Sequence, residues 1–295
     1  MTKARKNNLR GAAFMLLAVA TFSLMDAALK TLSQHYPAAQ VAALRGWTTL
    51  PIVTIWVGFF GGYRALVAIR WPLHLLRGAL SVVMLVSFTY ALKRLPLTEA
   101  YSIFFVAPLL ITASSGPLLG ERVQRQHWIA IGIGFIGVLI VLRPRGDGVL
   151  TLAGLAVLVS AASYALSAIC VRILGRTDST SSMIFWMILM LSLGATALAW
   201  PNWQPLRWTS DWPSLLVLAI TGSVGQYAIT EAFRRAQAAV IAPLEYTALA
   251  WGLALDWWLW QHLPDAVVYL GAALIIVSGL YLLRHERQHV EAEHP

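Results

Sequence analysis

The chain has 295 residues, 58% of them hydrophobic and only 12% charged, with a net charge of +9. A soluble domain carries about 25% charged residues, so a soluble globular protein is excluded, and the apolar residues collect into runs long enough to cross a bilayer. Lys and Arg lie in short clusters between those runs rather than along one face, which reads as a topology signal and not as a nucleic-acid surface.

In chain order, Lys3, Arg5, Lys6 and Arg10 lead into a first apolar run, Gly11 to Leu32. Ala18-Val19-Ala20 imitates a signal-peptide cleavage site, but the run continues past it and is read as an uncleaved first span. The following runs are Ala38 to Phe60, Leu73 to Leu92, Leu97 to Leu119, Trp128 to Leu142, Leu150 to Ile173, Met183 to Ala199, Trp212 to Phe233, Ala238 to Leu259 and Val267 to Leu283. Most can span roughly 30 Å of hydrocarbon as helices, the fifth and tenth being marginal for the task. The connections Gly61 to Arg70, Gly120 to His127 and Gly175 to Ser182 leave no room for a soluble domain. The predicted fold is therefore an all-α polytopic membrane protein of ten transmembrane helices, because helices alone satisfy their own amides where water is absent.

With ten spans and a cytoplasmic amino terminus, fourteen Lys and Arg residues fall on the cytoplasmic side: Lys3, Arg5, Lys6, Arg10, Arg64, Arg70, Arg122, Arg125, Arg172, Arg176, Arg234, Arg235, Arg284 and Arg287. Six fall opposite, namely Lys30, Lys93, Arg94, Arg143, Arg145 and Arg207. The bias places both termini in the cytoplasm and the protein in the cytoplasmic (inner) membrane.

An offset of 141 residues aligns 71–143 with 212–284 without a gap, bringing Trp71-Pro72 onto Trp212-Pro213, Lys93-Arg94 onto Arg234-Arg235 and Arg143 onto Arg284. Thirteen of the 73 pairs are identical, few for so apolar a composition, and the shared positions of helix starts and ends carry the alignment. Phe22-Ser23 to Lys30 similarly falls on Tyr164-Ala165 to Arg172 at an offset of 142. Two five-helix repeats are expected, 1–145 and 146–287, followed by a short polar cytoplasmic tail, 288–295. An odd number of spans per repeat gives the two copies opposite orientations, the signature of an alternating-access carrier; a duplicated channel or scaffold is the other reading.

Charges inside spans are costly and should face a cavity or a partner. Asp26, Arg45, Arg77, Glu245 and Asp256 are the deep ones, with Glu99 and Glu231 nearer helix ends. Asp26 either pairs with Lys30 one turn away, with Lys30 reaching outward, or serves substrate or proton. Arg77 shares a stripe with Ser81, Met84 and Phe88, and either clamps a carboxylate or phosphate or neutralises Glu245 or Asp26. Glu245, Leu249, Gly252 and Asp256 fall on one helical stripe, read as a cavity wall whose glycine admits a ligand or a close helix. Asp26, Glu245 and Asp256 are thus the candidates for proton coupling. Arg45 is read as a structural snorkeller or the partner of a helix end.

Gly132-Ile133-Gly134-Phe135-Ile136-Gly137 has dinucleotide-site spacing but lies in an apolar run without a preceding strand, and is read as a helix-packing motif. All seven histidines fall in loops or at span ends, and Cys170 is the single cysteine. No metal, no cofactor and no catalytic residue is expected, nor ATP hydrolysis, since the G-x-x-x-x-G-K-[ST] loop is absent.

Further motifs stand in the first half at Arg77-Gly78, Tyr90-Ala91-Leu92, Leu95-Pro96-Leu97, Glu99-Ala100, Ala107-Pro108-Leu109, Leu119-Gly120-Glu121-Arg122 and Gly134-Phe135-Ile136-Gly137. The second half has Ala242-Pro243-Leu244-Glu245-Tyr246, Pro264-Asp265 and Gly271-Ala272-Ala273-Leu274. With these the chain resembles the drug/metabolite transporter superfamily, specifically its EamA-type ten-helix members, and within it looks most like the branch of S-adenosylmethionine uptake transporters. It departs from the pattern at Gln261-His262, where the family ends the ninth helix with Gly-Glu as at Gly120-Glu121, and at Asp256, where a small residue is common. The resemblance implies a central cavity surrounded by Tyr101, Phe104, Tyr164, Tyr227, Tyr246 and Trp251, whose faces suit planar or cationic groups. Trp200, Trp203, Trp208 and Trp212 are assigned instead to the aromatic belt. The substrate-binding set is then Asp26, Arg77, Tyr101, Phe104, Tyr164, Tyr227, Glu245, Tyr246 and Trp251. The expected protein is a secondary transporter of a small polar or amphiphilic metabolite, amino-acid-like, zwitterionic or cationic, with a passive channel or an intramembrane enzyme as alternatives. Its partners would be that small molecule and membrane lipids, not nucleic acid, and it would be a monomer or homodimer.

Overall fold

The computed structural model describes residues 3–60, 62–66, 70–120, 125–142, 151–235 and 242–293. Among these there is no strand, and the α-helices in chain order are α1 (Lys3–Ser33), α2 (Ala38–Phe60), α3 (Trp71–Leu92), α4 (Leu97–Phe104), α5 (Ala107–Leu119), α6 (Arg125–Leu142), α7 (Leu152–Leu174), α8 (Thr180–Ala199), α9 (Trp208–Arg235), α10 (Ala248–Trp260) and α11 (Ala266–Glu293). Helix occupies most of the described part of each of the ten expected runs. Seven helical stretches are long and apolar enough to cross a membrane, Leu97–Leu119 among them, and Ile131–Val141 and Ala266–Ser278 are shorter apolar helices. Glu121, Arg122, Arg143, Arg145, the boundary at 145 and the start of the ninth run at 238–241 lie outside the described residues.

Two runs differ from single helices for identifiable reasons. The fourth is broken between Phe104 and Ala107. Pro108 has no amide with which to serve the Phe104 carbonyl, so the helix stops there and restarts with the proline in its first turn. The ninth opens as a 3-10 helix, Ala242–Thr247, before α10 begins.

Helix ends follow local chemistry. Ser179 caps α8, its hydroxyl accepting from the Ser182 amide at 3.1 Å. Gln261 ends α10 in the left-handed region at φ 53°, while His262 donates its amide to the Asp256 carbonyl at 3.1 Å. Gly120, at the equivalent place 141 residues earlier, has φ +72°. The two repeats thus close this helix in the same conformation, but only Gly120 does so without a side chain against the backbone. Gln261→Gly is expected to stabilise the protein by about 1 kcal/mol; an unchanged or lowered melting temperature would show that the glutamine side chain compensates for its backbone.

The chain divides into two compact units, each drawn from both halves of the sequence. The first comprises Met1–Ser23, Pro96–Thr151 and Val224–Pro295. In it α11 packs along α6 and α10 along α4. The α6–α11 contact is a glycine contact: a Cβ on Gly137 would lie 2.8 Å from the Gly271 carbonyl oxygen, and one on Gly271 would lie 2.7 Å from that of Gly137. The motif read as helix packing does pack helices, and close backbone approach is how membrane helices associate. Met15, Val19 and Ala232 form a further buried cluster with Phe14, Ile229, Leu244 and Ala248 against it.

The second unit comprises Leu24–Leu95 and Leu152–Ser223. Here α3 packs on α7 and α8, and α2 packs on α8 around Val53, Val57, Ile184 and Ile188. Two buried polar ties join its connections to helix starts. Tyr36, between α1 and α2, donates its hydroxyl to Asp211 in the first turn of α9 and accepts the Arg207 amide at 3.0 Å. Asp178, between α7 and α8, meets His74 in the first turn of α3, with Oδ2 and Nε2 2.6 Å apart. Gln40 and the Gln204 main chain exchange two further hydrogen bonds of 2.7 and 2.8 Å.

Candidate functional site

The candidate residues fall into two sets, one in each unit. In the first unit α4 carries Tyr101 and Phe104, α9 carries Tyr227, the 3-10 helix carries Glu245 and Tyr246, and α10 carries Trp251 and Asp256. Tyr101 is buried, and its ring fills the space left by Gly252, where a Cβ would come within 2.9 Å of it and 3.4 Å of the Thr98 amide nitrogen. The glycine of the expected stripe therefore admits a close helix. Tyr246 is buried edge-on against Phe105, ring centroids 5.0 Å apart, and its hydroxyl is enclosed without a hydrogen-bond partner. Tyr227 is exposed with Phe14 edge-on at 6.1 Å, and Trp251 is exposed; Phe104 and Glu245 are half-buried.

Asp256 departs from its expected place on a cavity wall. It is fully buried, and its Oδ1 accepts the Leu97 amide at 2.9 Å while Oδ2 accepts the Thr98 amide at 2.8 Å and the Thr98 hydroxyl at 2.9 Å. The first amides of α4 need acceptors, and Pro96 at the N-cap offers no side-chain bond, so Asp256 caps α4 from another helix. A carboxylate that receives three donors from the start of α4 acts as an anchor for that helix.

In the second unit α1 carries Asp26, α2 Arg45, α3 Arg77 and α7 Tyr164. Arg77 is buried, donates Nη1 to the Met183 carbonyl of α8 at 2.6 Å, and has its Nε enclosed without a partner. Its acceptor is thus main chain rather than either expected carboxylate. Lys30 does not reach outward: it is 8% exposed. Arg45 is not a snorkeller either. At 7% exposure it is buried beside α1, where its Nε donates to the Met25 thioether at 3.1 Å and the Asp26 carboxylate lies within electrostatic reach. Tyr164 is half-buried on α7.

The polar ties His74–Asp178 and Tyr36–Asp211 were not among the sequence candidates. A signal for them exists: Tyr36 and Asp178 are equivalent at the offset of 142, and His74 and Asp211 are 137 apart, one helical turn from equivalence. No group of three or more His, Cys, Asp and Glu side chains suited to a metal occurs among the described residues.

The EamA-like transporter family matches residues 9–143 and, a second time, residues 151–284. The chain belongs to that family. Among its relatives, this EamA-like transporter is 26% identical over 277 residues to the Pseudopaline exporter CntI of Pseudomonas aeruginosa, covering 94% of this chain and 97% of that protein. It is 27% identical to a Riboflavin transporter of Vibrio cholerae, covering 97% and 96%, and 26% identical to the S-adenosylmethionine uptake transporter of Rickettsia prowazekii, covering 100% and 99%. A solved crystal structure shares the fold, with a TM-score of 0.63 at 22% identity, covering 92% of this chain and 98% of that one. The EamA-like chain is thus an integral multi-pass membrane protein that transports small metabolites, and not an enzyme.

Proposed function

We propose that this EamA-like chain is a secondary transporter that moves a small polar or amphiphilic metabolite, amino-acid-like and zwitterionic or cationic, across the cytoplasmic membrane. The observation that carries this reading is the double family match, since each matched half holds five helical segments when α4 and α5 count as one broken span. An odd count gives the second half the opposite orientation, and two similar halves in opposite orientations supply two near-equal packings, open to either side of one site. The bias of Lys and Arg supports cytoplasmic termini.

The zwitterionic or cationic class is supported by deep carboxylates and guanidinia among aromatic side chains, because a ligand charge is desolvated tolerably only opposite such partners. Proteoliposomes loaded with one substrate should show saturable uptake accelerated by counterflow, and a nonsaturating conductance would rule the carrier out. Glu245, beside the unpartnered Tyr246 hydroxyl, is the group we assign to proton coupling. Glu245→Gln is expected to flatten the pH dependence of uptake while leaving exchange at fixed pH; an unaltered pH profile would make the carboxylate structural.

A further inference from the structure

The fourth and ninth runs match in more than hydropathy. Moving α5 (Ala107–Leu119) along by the repeat offset of 141 residues gives the bounds of α10 (Ala248–Trp260), start and end alike. Both helices restart at the same place, although the counterpart of Pro108 is Leu249, so a proline accounts for the first restart alone. The discontinuity belongs to the repeat.

What differs is the segment before each restart. Residues 101–104 form the last turn of α4, whereas their counterparts open the 3-10 helix Ala242–Thr247. One carbonyl position is engaged in both copies: the Val106 amide donates to Ile103 at 3.2 Å, and the Thr247 hydroxyl donates to Leu244 at 2.5 Å. Val106 and Thr247 are counterparts, as are Ile103 and Leu244. So are Phe105 and Tyr246, whose buried rings meet edge-on at 5.0 Å. The two segments are also tied through α10, where Gly252 lies against the Tyr101 ring and Asp256 holds the first amides of α4. The Tyr246 hydroxyl is enclosed without a partner, a cost that a second arrangement can relieve.

We propose that 101–106 and 242–247 are the two arms of one switch: as access changes sides, the first copy takes the 3-10 form and the second the α-helical form, about the Phe105–Tyr246 contact. This rests on the carrier reading above and locates its moving part. Two related halves in opposite orientations reach the opposite state when each adopts the conformation of the other. Here the halves differ between helices that otherwise match, so the exchange can be confined to one turn in each. One α turn and one 3-10 turn are present before and after it, which keeps the two states near-equal in energy. Glu245 rides on the second arm, so the exchange turns its carboxylate relative to α10. The Tyr246 hydroxyl gains its partner in the exchanged state.

The test measures distances by double electron–electron resonance in lipid nanodiscs, on the full chain with Cys170→Ala and one pair of spin-labelled cysteines at a time. One pair stands at Leu118 and Val277 and the other at Leu259 and Ile136, four exposed positions that the offset carries onto one another. The pairs should differ in their main distance, each with a minor population near the main distance of the other. Thr247→Val removes the hydroxyl that holds the 3-10 turn and should raise both minor populations about fivefold, the equivalent of one hydrogen bond. Thr247→Ser keeps that hydroxyl and should leave them unchanged. Val106→Thr offers it to the first copy, should raise both, and serves if the valine variant does not fold. Tyr246→Phe added to Thr247→Val should lower both, because it removes the hydroxyl that only the exchanged state satisfies. A change in one pair alone, equal main distances in the two pairs, or no response to Thr247→Val and Val106→Thr would overturn the switch. Distances that exchange in a protein without saturable flux in proteoliposomes would fail the carrier reading and leave the exchange itself standing.

Discussion

Asp256→Ala is expected to lower the melting temperature of the purified protein by roughly 10 °C, the largest effect of any single polar side chain in the first unit. The alanine leaves the amides of Leu97 and Thr98 and the Thr98 hydroxyl without their acceptor, in a place where Asp256 is fully buried. Each abandoned donor costs about 1–3 kcal/mol, and the loss of the charge at the start of α4 adds to that. Asp256→Asn retains an acceptor at Oδ1 but turns an NH2 group toward a donor, so it should fall between alanine and the unmodified protein. Thr98→Val removes one donor together with its need for an acceptor and should cost only about 1 kcal/mol. An Asp256→Asn protein as stable as the original would show that the negative charge is not what anchors α4. Because Tyr101 and Phe104 ride on α4, uptake should fall in the same order as stability.

The helices were legible because a bilayer core admits few alternatives, and helix occupies most of the described part of each of the ten runs. What hydropathy misses is backbone geometry within a run. Averaged over Leu97 to Leu119 it passes smoothly across Pro108, where the chain in fact breaks. The stripe of Glu245, Leu249, Gly252 and Asp256 supposed 100° per residue throughout. Its start is 3-10 helix, which turns about 120° per residue, so Glu245 leaves the line that the other three keep.

The charged residues were legible as a set but not as pairs. Composition and position suffice to say that a buried Asp256 or Arg45 needs a partner; which partner depends on tertiary packing. Asp256 finds Thr98 158 residues away, His74 finds Asp178 at 104, and Tyr36 finds Asp211 at 175. Local spacing has no access to such separations, and this is why Asp256 reads as a cavity wall when it is a helix cap. The internal repeat offers the one route across them. It carries Tyr36 onto Asp178 and brings His74 within a turn of Asp211, so a tie found in one copy predicts its counterpart in the other.

The second large effect is expected where α6 and α11 cross. A methyl group on Gly137 would meet the Gly271 carbonyl oxygen at 2.8 Å and the Ile275 amide nitrogen at 3.2 Å, and a methyl group on Gly271 would meet the Gly137 carbonyl oxygen at 2.7 Å and the Val141 amide nitrogen at 3.2 Å. These are main-chain atoms, which no rotamer change can withdraw, so either alanine must push two helices apart along a packed seam and should cost about 2–3 kcal/mol. The other glycines of the motif act as internal controls. At Gly134 the obstacle is the Leu109 side chain, which can move, so its alanine should cost less. At Gly132 a Cβ meets nothing within 4 Å, and alanine should be neutral or slightly stabilising because it raises helix propensity. Thermal melts of the four single variants in one detergent should therefore rank Gly137→Ala and Gly271→Ala as the most damaging, Gly134→Ala next and Gly132→Ala least. The pair Gly137→Ala with Gly271→Ala should cost less than the sum of its parts, since one separation of α6 from α11 relieves both clashes. Strict additivity, or a Gly132→Ala variant as unstable as Gly137→Ala, would mean that helix propensity rather than the crossing governs this seam.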